Sequence, residues 1–552
     1  MRARSWICSA LLLSVAGGPA GAQSKAVPAI PHLEKRGEAT QLMVDGQPFL
    51  ALAGELYNNS ATSLEYLNGV WPRLMAMHLN TVLAPVSWAL LEPTEGRFDY
   101  TLVDGVIRQA RAHNLHLVLL WFGSWKNTWS SYAPDWVKRD FERFPRVQLR
   151  NGSGTERLTP LSQANRDADA RAFAALMRRV REIDGEAHTV ILIQVENEVG
   201  VIPDARDYSA QANAAYGQPV PRELMEYLEQ HKDTLHPELR AKWQAAGFKT
   251  SGNWETVFGA GLETDDLFMA WQYARYIGQV AERGKAEYPL PMYANAALIR
   301  PSYAPGQYNS GGPLAHSMDI WKAGGPQLDF LAPDIYFELK NWCTEYDRPG
   351  NPLFVPEAAG GAAGAANVFY AVGQHRALGF SPFGIDGPEG GGGGEALARS
   401  YDVLSQLAPL ILENQPKGRM AGVLLEELTP AQKLRLGGYT LSVAGSGGRR
   451  PVAGAGAGAS AVSSAPAPHG IFIAAGLDEF YMAGGGLTVT FSPDTPGPPI
   501  VGLATVEEGR FVEGRWVRGR TLAGDDTGQG NNISLDAGRN AGILRVTLYR
   551  YR

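Results

Sequence analysis

The chain has 552 residues, of which 45% are hydrophobic and 19% are charged. A disordered chain would be poorer in apolar residues and more strongly charged, so this composition indicates folded domains with substantial cores. The net charge is −6, from 50 basic and 56 acidic residues, which does not indicate a basic surface for nucleic acid. Length predicts roughly three to four domains, or fewer if one of them is a large α/β barrel.

The first 22 residues have the pattern of a secretory signal peptide. In order they contain a basic start, an apolar run and a small-residue cleavage site: Arg2, Arg4, Trp6 to Ala16, and Ala20-Gly21-Ala22 before Gln23. The apolar run is shorter than the ~20 residues that cross a bilayer. We therefore expect a periplasmic or secreted protein without membrane insertion, with an N-terminal anchor as the alternative. Cleavage removes Cys8 and leaves Cys343 with no disulfide partner in the chain.

The next part of the chain begins with a hairpin, Gln41 to Leu50, whose Asp45-Gly46 pair is a strong turn signal. Short apolar runs then alternate with helical patterns. Eight runs predict buried strands: Phe49–Gly54, Thr81–Val86, Leu115–Trp121, Val190–Val195, Pro291–Asn295, Leu328–Tyr336, Leu353–Pro356 and Phe380–Phe383. This alternation predicts an α/β fold, a (β/α)8 TIM barrel over residues 23–412 with an insertion at about 200–290.

Residues 413–552 have a different sequence pattern, in which short β-prone runs alternate with turn signals. Examples are Gly470–Ala474, Leu487–Phe491 and Ile543–Leu548. We predict a smaller β-sandwich-like domain, with Ala453 to Pro468 as a low-complexity loop inside it.

Catalytic groups of a barrel lie just past the carboxyl ends of its strands, and glutamates occur at four such places. They are Glu55 after strand one, Glu92 after strand two, Glu196 and Glu198 at strand four, and Glu357 after strand seven. A carboxylate at the end of an apolar strand is costly to bury unless it is paired or functional. A structural ion pair is the alternative for each one, but four places on one face favour a shared site.

Two carboxyl groups on opposite sides of a barrel mouth suit glycoside hydrolysis. One group protonates the leaving oxygen, and the other attacks the anomeric carbon or activates water. Glu357 supplies one of them, whereas strand alternation puts Glu196 and Glu198 on the same face and does not choose between them.

Tryptophans support a sugar site, because their flat faces bury sugar C–H surface while a polar edge keeps a hydrogen bond. Trp88 and Trp121 lie at or just past strand ends and are the better candidates. We assign Trp71 and Trp136 to core packing, and Trp125 and Trp129 to the outer, leaving-group side. No phosphate loop or Gly-x-Ser-x-Gly elbow occurs, so we expect no cofactor. His113 and His116 have no acidic partner nearby, so we also expect no metal site.

Several of these segments resemble glycoside hydrolase family 35, the β-galactosidases. The acid/base motif of that family resembles Gln194-Val-Glu-Asn-Glu198-Val-Gly200, and its strand-two motif resembles Leu79-Asn-Thr-Val82 together with Trp88-Ala-Leu-Leu-Glu92-Pro-Thr-Glu-Gly96. Leu119 to Asn127 and Pro291 to Asn295 resemble its bacterial branch with a β-rich C-terminal domain. The likeness spans about residues 40–410.

This resemblance implies a retaining exo-β-galactosidase that removes terminal β-D-galactosyl residues from oligo- or polysaccharides such as plant cell-wall side chains. Glu198 would be the acid/base and Glu357 the nucleophile. The substrate-binding residues, from the resemblance or from their places at strand ends, would be Asn197, Glu92, Glu55, Trp88, Trp121, Asn295 and Tyr336.

The sequence also departs from the family, because Ala89 stands where many relatives have asparagine. Ala358-Ala-Gly-Gly361 replaces a longer acidic and aromatic motif after the nucleophile, which leaves fine specificity open. An α-L-arabinopyranosidase or another retaining glycosidase of the same barrel class is one alternative, and a catalytically inactive carbohydrate-binding protein is another. The oligomeric state is open.

Overall fold

The computed structural model describes residues 29–387, 394–425, 431–446, 466–535 and 542–552. The predicted signal peptide and most of the predicted low-complexity loop lie outside these residues. The fold has two parts, an α/β barrel and a β-rich domain that follows it.

Eight parallel strands form the barrel, and we number them 1 to 8 in chain order. They are Ala51–Glu55, Thr81–Ser87, His116–Lys126, Val190–Asn197, Met292–Ala297, Phe330–Asp334, Val355–Ala358 and Gly379–Pro382. The sheet runs in the order 6-5-4-3-2-1-8-7, and a parallel bridge between Ile335 and Ala358 joins its two edges. The predicted TIM barrel is therefore confirmed, because each predicted strand overlaps an observed one.

Helices follow the strands around the outside of the barrel. The longer ones are Leu64–Ala76, Thr101–Ala112, Gln163–Asp184, Leu262–Glu287, Leu339–Tyr346, Gly361–His375 and Gly394–Asn414, and shorter ones are Trp88–Leu91, Asp135–Arg139 and Met318–Gly324. Between strands 4 and 5 the chain adds four short helices: Ala210–Tyr216, Arg222–Gln230, Pro237–Ala245 and Trp254–Phe258. Leu262–Glu287 then packs beside Gln163–Asp184, so this part of the predicted insertion is a helix of the barrel wall. Among the described helices, none is long and apolar enough to cross a membrane.

The N-terminal hairpin covers the bottom of the barrel. Its strands are His32–Arg36, Ala39–Val44 and Gln47–Phe49. Asp45 and Gly46 both have positive φ, 51° and 75°, as a tight hairpin turn requires. Leu42 and Val44 join the cluster of side chains that fills the barrel interior. The barrel is thus packed below and open for chemistry only at its carboxyl end.

The C-terminal domain consists of two antiparallel sheets. One contains Met420–Leu424, His469–Ala474, Glu479–Gly485, Ile500–Val512, Arg515–Thr521 and Ile543–Tyr551, and the other Gln432–Leu436, Tyr439–Gly445, Leu487–Pro493 and Ile533–Leu535. Side chains of both sheets, such as Phe472 and Leu441, form one core. The neighbouring Ile471 and Ile473 face the other way and belong to the cluster of the barrel. Strand His469–Ala474 is therefore buried on both faces, which explains its continuous apolar sequence.

Candidate active site

The carboxyl ends of five barrel strands bring four carboxyl groups and one ammonium group together. We call this set the carboxylate cluster: Glu55 of strand 1, Lys126 of strand 3, Glu198 after strand 4, Asp334 of strand 6 and Glu357 of strand 7. Glu198, Asp334 and Glu357 each have one carboxyl oxygen that lies within 4.8 Å of the corresponding oxygens of the other two. Glu55, Asp334, Glu357 and Lys126 are buried, whereas Glu198 is partly exposed. The cluster therefore has one member that solvent reaches easily.

Three polar groups hold the Glu357 carboxylate in position. The Tyr336 hydroxyl donates a hydrogen bond to Oε2 at 2.8 Å, and Asn197 Nδ2 donates to Oε1 at 3.4 Å. Lys126 Nζ lies 3.8 Å from Oε1. Burial and the charge of Glu357 raise the pKa of Tyr336, so its hydroxyl stays protonated and remains a donor. The result is an oriented carboxylate with a cation beside it.

The backbone separates Glu196 from Glu198, which sequence alternation could not do. Both residues have positive φ, 63° and 45°, so the strand pattern breaks at this point. The Glu196 carboxylate accepts hydrogen bonds from the backbone N–H groups of Ser124 at 3.1 Å and Trp125 at 2.7 Å. It lies beside Asp169 of helix Gln163–Asp184, in a buried network behind strand 3. Glu198 alone of the two joins the carboxylate cluster.

Asp334 and Asn295 fix the position of Glu198. Asn295 Nδ2 donates to Asp334 Oδ2 at 2.7 Å, while its Oδ1 accepts from the Glu198 backbone N–H at 3.0 Å. Burial, followed by the charges of Glu357 and Glu198, raises the pKa of Asp334 well above its usual range. Asp334 therefore keeps its proton and can donate a hydrogen bond to the Glu198 side chain. One amide thus positions both the main chain and, through Asp334, the side chain of Glu198.

Glu55 lies in the deepest part of the carboxylate cluster. The side chain is fully buried, and neither carboxyl oxygen has a hydrogen-bond partner within the described residues. Burial, with a further contribution from Glu357, raises the pKa of Glu55 well above its usual range. A neutral carboxylic acid at this place is a hydrogen-bond donor that has no acceptor among the described residues.

The charges of the cluster nearly cancel when these protons are counted. The raised pKa values of Glu55 and Asp334 favour their neutral forms, and the Lys126 ammonium offsets the Glu357 carboxylate. Although burial opposes it, Glu357 and the other carboxyl groups raise the pKa of Lys126, which keeps that side chain charged. Burial first, and then the charge of Glu357, raise the pKa of Glu198 to about 7. Glu198 is therefore the group that exchanges a proton near neutral pH.

Within the described part of the chain, Glu198, Asp334 and Glu357 are also the acidic group whose spacing could hold a metal ion. A protein metal site normally supplies deprotonated ligands. Here burial raises the pKa of Asp334 well above its usual range, and Lys126 already places a positive charge 3.8 Å from Glu357. The donor set therefore fits proton transfer better than it fits a divalent cation.

Nine site residues were predicted from the sequence, and the structure brings five of them together. They are Glu198 and Glu357 and three residues that contact them, Asn197, Asn295 and Tyr336. Glu55 joins them from below. Glu92 does not, because its carboxylate accepts from Trp88 Nε1 at 2.8 Å, Gly96 N at 2.7 Å and Arg171 at 3.1 Å. This correction has a simple cause, since Glu92 is 0% exposed and its carboxylate is already held by three donors inside the protein, so a sugar hydroxyl cannot reach it.

The two tryptophans predicted to contact sugar also need correction. Trp88 and Trp121 are both 0% exposed, so neither presents a ring face to a ligand. The indole of Trp121 donates to Asp169, and its ring packs against Phe173. Trp125 is equally buried, whereas Trp129 is 48% exposed. The aromatic richness of this region serves mainly the packing between strands and helices.

Sequence reasoning missed Lys126 and Asp334. Strand 3 was predicted to end at Trp121, but it continues to Lys126, whose charge ends a run of ten buried residues. Asp334 ends strand 6 and satisfies the same strand-end criterion that selected Glu357. Neither residue ended a predicted strand, because strand 3 was predicted to end at Trp121 and strand 6 at Tyr336; only the observed strand ends identify them.

Two family models match parts of the chain. Residues 65–257 match the glycoside hydrolase 42 model, described as "Beta-galactosidase". Residues 397–534 match a model described as a domain of unknown function. The comparisons therefore support a β-galactosidase-like barrel, although the matched family is 42 and not the family 35 that the motifs resemble.

A β-galactosidase from Xanthomonas manihotis is 28% identical over 183 residues, which is 32% of this chain and 28% of that protein. Similar solved structures include the β-galactosidase from Bacillus circulans sp. alkalophilus, with 14% identity, a TM-score of 0.44, and coverage of 66% of this chain and 57% of that one. The cold-adapted β-galactosidase from Rahnella sp. R3 has 18% identity and a TM-score of 0.43, with coverage of 65% and 56%. The chain thus spans less than two thirds of the length of these relatives.

Proposed function

We propose that this protein is a retaining β-galactosidase that hydrolyses terminal β-D-galactosyl residues by double displacement, with Glu357 as nucleophile and Glu198 as acid/base. The observation that carries this proposal is the separation of no more than 4.8 Å between oxygens of Glu198 and Glu357. Retaining pairs lie ~5–5.5 Å apart, whereas inverting pairs need ~6.5–9.5 Å to admit a water molecule. The assignment to family 35 rests on the Gln194 to Gly200 motif and is part of the proposal.

In the first step Glu357 attacks the anomeric carbon and the bond to the leaving oxygen breaks. Glu198 gives its proton to that oxygen, and its pKa of about 7 keeps this proton available near neutral pH. Tyr336, Asn197 and Lys126 orient the nucleophile by the contacts described above. The product of this step is a galactosyl ester of Glu357.

In the second step a water molecule attacks the same carbon, and Glu198 accepts its proton. Esterification removes the charge of Glu357, which is one cause of the raised pKa of Glu198. The pKa of Glu198 therefore falls at the moment when the residue must act as a base. Cleavage of the ester bond releases galactose with retained configuration and restores the Glu357 carboxylate.

Two further contacts to the galactosyl unit belong to the proposal. Asn197 would bind the 2-hydroxyl, a contact that strengthens in the transition state. The protonated Glu55, which has no acceptor within the described part of the chain, would donate a hydrogen bond to a sugar oxygen at the bottom of the site. Glu55 and Asn197 would thus contact the sugar, whereas Glu92, Trp88 and Trp121 would not.

The test combines a panel of nitrophenyl glycosides with azide rescue of two variants. Wild-type protein should hydrolyse the β-galactoside faster than the α-L-arabinopyranoside. Glu198→Ala should be rescued by azide with a β-galactosyl azide as product, because azide attacks the ester of Glu357. Glu357→Ala lacks the nucleophile, so azide could enter only from the opposite face and give the α-azide.

Each result bears on a separate part of the proposal. Reversed azide stereochemistry between the two variants would exchange the roles of Glu198 and Glu357. An initial product of inverted configuration in the wild-type reaction would refute the retaining mechanism. A preference for the arabinopyranoside would refute the substrate assignment, and inactivity against every glycoside would favour a carbohydrate-binding protein.

A further inference from the structure

Strand 3 contains a large bulge directly before Lys126. Trp121 pairs with Val195 of strand 4, and the next pair is Lys126 with Asn197. Four residues, 122–125, lie between these two pairs on strand 3, whereas a single residue lies between them on strand 4. We call residues 122–125 the strand-3 bulge. A bulge interrupts the hydrogen bonds of the ladder and changes the direction of the side chain that follows it, here that of Lys126.

Glu196 is that single residue of strand 4, and its carboxylate supplies hydrogen-bond acceptors for the strand-3 bulge. Oε1 accepts from the backbone N–H of Ser124 at 3.1 Å, and Oε2 accepts from that of Trp125 at 2.7 Å. Buried backbone N–H groups need an acceptor, and a bulge lacks the regular carbonyl partners of a ladder. Because Trp125 directly precedes Lys126, the Glu196 carboxylate fixes the backbone that carries the ammonium group.

Asp169 holds the same segment from the side of the helical wall. Its Oδ1 accepts from Trp121 Nε1 at 2.8 Å, and its Oδ2 accepts from Ser124 Oγ at 2.6 Å and from the Tyr276 hydroxyl at 3.2 Å. Burial, followed by the charge of Asp169, raises the pKa of Glu196 well above its usual range. This favours a protonated Glu196, whose hydroxyl can donate a hydrogen bond to Asp169. One proton thus joins two carboxyl groups that would otherwise repel each other.

Gly123 shows how closely the strand-3 bulge packs against these two carboxyl groups. A Cβ atom at this position would lie 2.3 Å from Trp121 Nε1, 2.5 Å from Glu196 Oε1 and 2.9 Å from Asp169 Oδ1. These distances are shorter than van der Waals contact, so any side chain here would displace at least one of the three groups. Glu196 and Asp169 are 1% and 0% exposed, which leaves little room for such a displacement.

We infer that Glu196 and Asp169 are positioning residues that keep Lys126 beside Glu357 through their hydrogen bonds to the strand-3 bulge. This inference rests on the proposed function, since it assigns a task in the same reaction. Neither carboxyl group belongs to the carboxylate cluster, and both act through the Lys126 ammonium group, which lies 3.8 Å from Glu357 Oε1. Four carboxyl groups face this ammonium group: Glu55, Glu198, Asp334 and Glu357.

The first experiment follows the pH dependence of kcat/KM for nitrophenyl β-galactoside. Against the effects of burial and Glu357, Lys126 lowers the pKa of Glu198, the proposed proton donor of the first step. Glu196→Gln replaces one acceptor oxygen with an amide N–H2 group, so at least one hydrogen bond to the bulge is lost. An ammonium group that lies about 3 Å farther from Glu198 should move the alkaline limb to higher pH by about half a unit. Glu196→Ala, which removes both acceptors, should move it further.

Asp184→Asn is the matched control. Asp184 is a carboxylate that is 1% exposed, and it accepts from the backbone N–H groups of Thr189 at 3.0 Å and Val190 at 2.6 Å. It therefore holds strand 4 in the same way, but at the opposite end of the strand from Asn197. The control should lower the melting temperature, as Glu196→Gln should, and leave the alkaline limb in place. A merely structural role of Glu196 would give the same result for both variants.

Two further variants separate positioning from a direct electrostatic effect of Glu196. In a Lys126→Met background, Glu196→Gln should cause no further shift of the limb, because the charge that it positions is absent. Gly123→Ala changes no hydrogen-bonding group, yet its Cβ atom should displace the carboxyl groups and move the limb in the same direction. An additive shift in the double variant, or an unmoved limb in folded Glu196→Gln and Gly123→Ala proteins, would overturn the inference.

A second measurement does not depend on turnover. Mass spectrometry would follow the acetylation of Lys126 by an N-hydroxysuccinimide ester in the folded proteins. Lys126 is 6% exposed, so it should react slowly in the wild type and in Asp184→Asn, and several times faster in Glu196→Gln. Equal rates in all three proteins would overturn the inference. Inactivity of the wild type toward nitrophenyl β-galactoside would refute the proposed function instead, and the acetylation rates would still decide whether Glu196 positions Lys126.

Discussion

Replacing Lys126 with methionine should move the alkaline limb of the pH profile of kcat/KM to higher pH. Lys126 is the one cation of the carboxylate cluster, and its ammonium group lowers the pKa of Glu198 against the effects of burial and Glu357. The proposed first step needs protonated Glu198, so activity should be present below its pKa of about 7 and should fall as the pH rises through that value. Removing the ammonium group makes Glu198 hold its proton to higher pH.

The size of the shift follows from the geometry. Lys126 Nζ lies 3.8 Å from Glu357, whose oxygens come within 4.8 Å of those of Glu198. At a separation of roughly 8 Å and an effective dielectric constant of about 20, one unit charge is worth about 2 kcal/mol. Since one pKa unit corresponds to about 1.4 kcal/mol, the alkaline limb should move up by about one to one and a half units.

The assay is kcat/KM for nitrophenyl β-galactoside between pH 4 and 10, at constant ionic strength. Lys126→Arg is the matched control, because it keeps the charge and should keep the limb near its wild-type position. Thermal unfolding of both variants identifies any loss caused by misfolding. An unmoved limb in a folded Lys126→Met protein, or a limb at lower pH, would show that Lys126 does not act on the acid/base group.

Three further expectations follow from the fold and the sequence. Glu92→Gln should lower the free energy of unfolding, measured in urea, by about 1–3 kcal/mol because it weakens buried hydrogen bonds. It should leave KM unchanged, and a tenfold higher KM in folded protein would instead make Glu92 a sugar ligand. Trp516 is partly buried against Tyr481 and Phe511, so Trp516→Ala should cost about 2 kcal/mol of stability while kcat stays constant. A collapsed kcat in folded protein would mean that the C-terminal domain reaches the site. Exported protein should begin at Gln23, and N-terminal sequencing that starts at Met1 would exclude the predicted cleavage.

The β-galactosidase-like barrel was accessible from sequence for a physical reason. A parallel strand covered on both faces must be a short apolar run, so all eight strands are recognisable without tertiary information. The carboxyl ends of those strands meet on one face, so charged residues that end the runs were expected to converge. This criterion selected Glu55, Glu198 and Glu357 together with Glu92 and Glu196, and it missed Asp334 and Lys126, which end strands whose ends were predicted elsewhere.

Only the tertiary structure decided which of these side chains face one another. Positive φ at Glu196 and Glu198 breaks the two-residue alternation, so the pattern could not separate the buried Glu196 from the acid/base candidate. Position in the sequence also did not show whether a tryptophan near a strand end faces the barrel mouth or packs between a strand and a helix. Trp88 and Trp121 were predicted to face the mouth, but both are fully buried. Strand order and hydrophobic pattern are local properties of the chain, whereas the direction of a side chain beyond a strand end depends on loops and helices distant in sequence.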